Sequence, residues 1–124
     1  KLRLDPSGPS AHDGGVIYKI LTAEQWADLQ AKGETPGAPI DVADGFVHFS
    51  AADQVRETAA RHFAGQAELW LLAYPDEMAG LTWEPSRGGA LFPHLYAPLR
   101  LAEMQSATPI GLGAEGHIFP AEIP

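Results

Sequence analysis

The chain has 124 residues, 45% of them hydrophobic, with three Trp, three Tyr and five Phe, which suffices for one core and leaves no room for a second. It has no cysteine, so disulfides, thiolate catalysis and Cys-type zinc sites are excluded. Sixteen acids against eight bases give a net charge of -8, which repels phosphate backbones and anionic membranes at long range, so neither nucleic acid nor a membrane is an expected partner.

In chain order, residues 1–15 begin without Met and lack the apolar core of a signal peptide. They are expected to be a flexible arm or an artificial remnant, with residues 16–124 forming a single α+β domain. No stretch approaches the ~20 apolar residues of a membrane helix, and a cytoplasmic location is expected. Val16 to Leu21 is short, apolar and β-rich, and reads as a buried strand. Thr22 with Gln25 three residues on is a capping-box pattern, so a helix should start there, bury Trp26 and Leu29, and stop at Gly33. Glu34 to Asp44, rich in Gly, Pro and Asp, is expected to be a loop.

Gly45 to Ser50 reads as a second strand. Ser50 and Asp53 then offer a helix start, Val55, Ala59, His62 and Phe63 recur at helical spacing, and Gly65 is placed to end that helix. Glu68 to Tyr74 is the strongest strand signal. Leu81 to Glu84 is a short strand, Pro85 to Gly89 a loop, and Leu91 to Tyr96 extended, with Pro93 pointing to an edge or irregular strand. Leu99 to Ala107 carries a further strand or short helix, and the glycine- and proline-rich tail is expected to be irregular. Two helices in the N-terminal half followed by strands indicate an α+β fold around a small mixed sheet.

Four places could carry chemistry. Lys19 shares a strand face with Ile17 and Leu21, so it either lines a cleft as a cation or snorkels from an edge. His48 shares a face with Phe46 and Ser50, and is either a hydrogen-bonded core residue or a site residue able to donate, accept or titrate. Ser50 has the simpler use of capping the next helix. Arg87 beside Gly88 and Gly89 could grip a phosphate or carboxylate, or be a solvated turn residue beside Glu84. Phe92, His94 and Tyr96 alternate onto one face, which suits a flat ring or a core equally. A zinc site from His48, His94 and an acid is conceivable but not expected, because no two histidines have i, i+2 or i, i+4 spacing. No Gly-x-Ser-x-Gly elbow is present.

Taken together, Ile17 to Ile20, Trp26, Gly45 to Ser50, His62 to Gly65, Leu69 to Leu72, Trp83-Glu84 and Phe92 to Leu99 resemble the small bacterial proteins grouped as domain of unknown function 952. The resemblance covers about Val16 to Met104. It implies a fold similar to the ADP-ribosylation fold, which NAD-dependent ADP-ribosyltransferases and RNA 2'-phosphotransferases share. By resemblance, Lys19 stands near the first motif of that fold, where many relatives have His or Arg, His48 and Ser50 near the second, and His94 or Tyr96 near the third. The implied function is an NAD-like or phosphorylated-nucleotide pocket related to ADP-ribosyl transfer. His48, His94 and Glu84 would be catalytic, and Lys19, Ser50, Arg87, Gly88, Phe92 and Tyr96 would bind the small-molecule ligand. The alternative is a non-catalytic metabolite sensor or a protein-interaction module. Fold alone does not decide between them.

Overall fold

Alternation along the first strand sets the architecture. In the computed structural model, which describes residues 15–121 and 123, β1 (Val16–Thr22) sends Ile17 and Leu21 to one side and Tyr18 and Ile20 to the other. The expected arm, Gly15 apart, lies outside the described residues, as does the side chain of Arg87. β1 pairs antiparallel with β4 (Leu69–Pro75), and β4 with β8 (Ser106–Gly113) and that with β9 (Gly116–Ile118), in the order β1-β4-β8-β9. A three-stranded sheet, β3-β6-β5, combines β3 (Val47–His48), β6 (Leu91–Leu95) and β5 (Leu81–Pro85). A two-stranded ribbon joins β2 (Glu34–Thr35) to β7 (Leu99–Arg100). Among the described residues every strand pairing is antiparallel, which corrects the expected mixed sheet.

The helices complete an α+β fold. α1 (Ala23–Lys32) starts where the sequence places it. Thr22 Oγ1 accepts the Gln25 N–H, the Gln25 side chain accepts the Thr22 N–H, and Gly33 closes the helix in the left-handed region at φ 84°. Trp26 packs on Trp70 with ring centroids 5.5 Å apart. The expected loop over Glu34 to Asp44 instead contains β2 and a second helix, α2 (Pro39–Asp44), so among the described residues three α-helices, not two, precede β4. Pro39 is tolerated at the first helical position because its missing N–H would have no partner there. α3 (Val55–His62) follows, but Ser50 does not cap it. The helix begins at Gln54, and it ends at Phe63, two residues before Gly65.

One core lies between the two larger sheets and under α1, with Ile17, Leu21, Leu29, Val47, Leu72, Tyr74, Leu95 and Leu99 all essentially inaccessible. Contrary to the single core expected from the length, a second one lies on the other side of the four-stranded sheet under α3, built from Tyr18, Ile20, Val55, Ala59, Leu69, Leu71 and Ile110. The tail is not irregular: β8 and β9 form a hairpin, and His117 within it sits 3.0 Å from the Gln66 carbonyl. Leu99 to Ala107 divides into β7, one 3-10 turn (Leu101–Glu103) and the start of β8.

Of the two expectations for Pro93, an edge or an irregular strand, the second holds: it lies in the central strand of its sheet, where the ladder breaks. Phe49 N–H donates to the Pro93 carbonyl at 3.0 Å, and the reciprocal bond is impossible because proline has no N–H. The ladder to β6 ends at that point, and Ser50 pairs instead with Tyr18 through two backbone bonds of 2.8 Å. The proline is accommodated because the chain leaves β6 for β1 there, joining the two sheets. No helix among the described residues is long and apolar enough to cross a membrane.

Candidate functional site

The outward face of the three-stranded sheet holds the chemistry. Val47 and Leu95 are paired and point into the core; His48 and His94 are paired one residue on and point to the opposite face. Glu84 is opposite Phe92 on the neighbouring rung of that same face. Gly45 to Ser50 thus meets Trp83 to Leu99 through a strand pairing.

Two acid–histidine units stand side by side, their imidazole centroids 5.6 Å apart. In one, Glu84 Oε1 accepts hydrogen bonds from His94 Nδ1 and from the Tyr96 hydroxyl, each at 2.7 Å. The bond from Tyr96, then that from His94, holds the Glu84 carboxyl below its ordinary value, and the Tyr96 phenol is raised in turn, first by that same bond. In the other, Asp41 faces His48. Asp41 Oδ1 accepts the His48 N–H at 3.0 Å and also its Nδ1, while Oδ2 accepts Lys19 Nζ at 2.8 Å and the Ala38 N–H at 2.7 Å. His48 Nε2 lies 2.9 Å from Asp44. Carboxylates only accept, so keeping both bonds at once requires the imidazolium.

Asp41 has no exposed side-chain surface, and burial alone would raise its pKa; the bonds from His48 and Lys19 outweigh burial and hold it at about 2. Lys19 is 6% exposed, and its ammonium also donates to the His48 carbonyl at 3.0 Å. The lysine is therefore neither a snorkelling edge residue nor an open cation, but one half of a buried ion pair. Gly37, at φ 108°, makes room for that pair: a Cβ there would sit 2.5 Å from Asp41 Oδ2.

The remaining candidates are dispersed. Ser50 is buried, and its hydroxyl lies 2.9 Å from Thr58 Oγ1 on α3. Phe92 is buried on the same face as Glu84. Gly88, at φ 69°, belongs to a 3-10 turn (Arg87–Gly89) at the tip of the β5–β6 hairpin, beyond the Glu84–Phe92 rung. Asp41, Asp44 and Phe46 were not singled out by sequence. Pro39 is compatible with a helix start, but six residues show no helical period, so no local signal places Asp41. Alternation had already set Phe46 beside His48. The Phe46 ring lies 4.1 Å from His94, 4.5 Å from His48 and 5.2 Å from Tyr96.

A family model described as protein of unknown function (DUF952) matches residues 20–107, which include Asp41, His48, Glu84, His94 and Tyr96 and begin one residue after Lys19. The X-ray structure of protein CC0527 from Caulobacter crescentus is 48% identical, with a TM-score of 0.78 over 82% of this chain and 90% of that one. The solution NMR structure of CC0527 is 49% identical, with a TM-score of 0.74 over the same shares. No curated protein matches the chain.

Proposed function

The chain belongs to the DUF952 family, and from that premise we propose that it binds a small molecule through a flat ring at the face built by Phe46, His48, Glu84, His94 and Tyr96. The ring proposed is the nicotinamide end of NAD or of a related phosphorylated nucleotide, on a fold similar to the ADP-ribosylation fold. The observation that carries this reading is the single Glu84 oxygen that holds both His94 and Tyr96. A carboxylate kept ionised beside a ring site is suited to the positive charge that develops on a ribose carbon as nicotinamide departs. In the hydrolytic form of that chemistry, water adds to this carbon, neutral nicotinamide leaves, and one proton is released. His94 has Nδ1 committed to Glu84, so Nε2 would meet the ligand, and His48 would approach the ribose. Gly88 and Arg87, at the hairpin tip, are assigned to the phosphates. Lys19 is assigned a supporting role, because its ammonium is already engaged by Asp41 and the His48 carbonyl.

That engagement favours a second reading, binding without turnover, since the first-motif cation is turned inward. Isothermal titration with NAD, ADP-ribose and nicotinamide tests both. Heat with NAD that is lost in Glu84→Gln is expected, and no heat at millimolar ligand overturns the site. Mass spectrometry after prolonged incubation separates the two readings: free nicotinamide requires catalysis, and intact NAD leaves binding alone.

A further inference from the structure

His94 stands on the outward face of its sheet, yet only 4% of it is exposed. A phenyl ring lies against it. Phe46 stacks on the imidazole at 4.1 Å with the planes 26° apart, and also touches His48 and Tyr96. This is the arrangement a flat ligand ring would adopt on the same imidazole. Resting on the ring-binding reading above, we propose that Phe46 is a displaceable cover: its ring fills the recess over His94, and a ligand ring enters by turning it out.

Three features support displacement. Phe46 is only half-buried and belongs to neither apolar core, so turning it out opens no cavity in the packed interior. Its backbone is fixed, because Phe46 N–H donates to the Asp41 carbonyl at 3.2 Å and Val47 begins β3. The motion required is therefore a side-chain rotation, which needs no loop to move. Gly45, just before it, has open space around its α-carbon. Nicotinamide, a six-membered aromatic ring, has the outline of the phenyl group it would replace. A ligand that must wait for the cover to turn binds more weakly by the fraction of time the recess is open.

The test combines a ligand-free measurement with a titration on the full chain. Wild type, Phe46→Ala and Phe46→Leu are treated with diethyl pyrocarbonate, and modification of the peptide carrying His94 is followed by mass spectrometry. The same proteins are titrated with nicotinamide. The leucine variant keeps apolar bulk without a flat ring, and carries the test if the alanine variant does not fold. Both variants should be modified at His94 about tenfold faster than wild type and bind nicotinamide about tenfold more tightly, as expected if the cover is in place roughly nine-tenths of the time. Nicotinamide should then restore protection of His94. Equal rates of His94 modification in all three proteins overturn the cover. Faster modification with weaker nicotinamide binding overturns displacement and makes Phe46 part of the ligand's platform. Faster modification with no nicotinamide binding in any variant supports the cover and overturns the nicotinamide reading.

Discussion

The two larger sheets are stabilised by opposite means. The four-stranded sheet is apolar on both faces, with one core toward α1 and another toward α3. The three-stranded sheet is apolar on the Val47–Leu95 side only, and its outward side is a network of carboxylates, imidazoles and rings. Lys19, buried in the first sheet, is neutralised by Asp41 from α2. That single carboxylate also orients His48, so the scaffold and the candidate site share a residue. Polar groups on a buried sheet are costly, and here the cost is met by the residues that build the site.

The strongest test of this contrast is Asp41→Asn. It leaves Lys19 buried and unpaired, and should destabilise the protein by about 3–5 kcal/mol in urea denaturation. Leu72→Ala, in the heart of the apolar sheet, should cost about 2–5 kcal/mol by the same measurement, through lost transfer energy and the cavity left behind. If Asp41→Asn proves much milder than Leu72→Ala, the polar network contributes little to the scaffold.

Acid provides a third test. Asp41 titrates at about 2 when folded and near the usual carboxylate value when unfolded. The unfolded chain therefore takes up its proton first as pH falls. The Asp41 contribution is complete above about pH 4 and is lost between there and about pH 2, on the order of 2 kcal/mol. Denaturation midpoints across that interval should fall more steeply for wild type than for Asp41→Asn.

The smallest effect is the most local. Glu84→Gln should change the denaturation midpoint little, since the half-buried side chain keeps its shape and an oxygen that can still accept from Tyr96 or His94. It should lower the Tyr96 phenol toward its ordinary value, because the bond to the carboxylate is what raises it. Carbon-13 NMR of labelled tyrosine would follow that shift, and an unmoved Tyr96 would mean the Glu84–Tyr96 bond does not persist in solution.

Where local chemistry and tertiary structure agree, the elements could be read from the chain. Thr22, Gln25 and Gly33 specify α1 by themselves, and the apolar, β-rich runs of β1 and β4 mark both as buried strands. α2 was not legible: six residues are too few to show helical period, and Pro39, Asp41 and Asp44 have the composition of a loop. Its existence depends on a partner distant in sequence, Lys19, and on His48 in the strand that follows. Ser50 was read as a cap because serine usually is one, but its backbone is taken by the bridge to Tyr18. Gly111, Gly113 and Gly116 concealed the β8–β9 hairpin, whose register is set by the two-residue turn between Gly113 and Gly116. His48, His94 and Tyr96 were legible as one face because alternation is local. Asp41, which organises them, was not, because an acid in a loop-like segment gives no sign of being buried.

The placement of Asp41 has a dynamic consequence. A helix of six residues cannot persist alone. α2 and the following turn are tied to the sheets chiefly through one side chain, which receives Lys19, His48 and the Ala38 N–H. Residues 37–48 should therefore open as one cooperative unit, with a protection factor set by that carboxylate and below that of β1 and β4. The amides of Ala38, Gly45, Phe46 and His48 would then exchange with solvent deuterium at a common free energy, in an event separate from the side-chain rotation of Phe46.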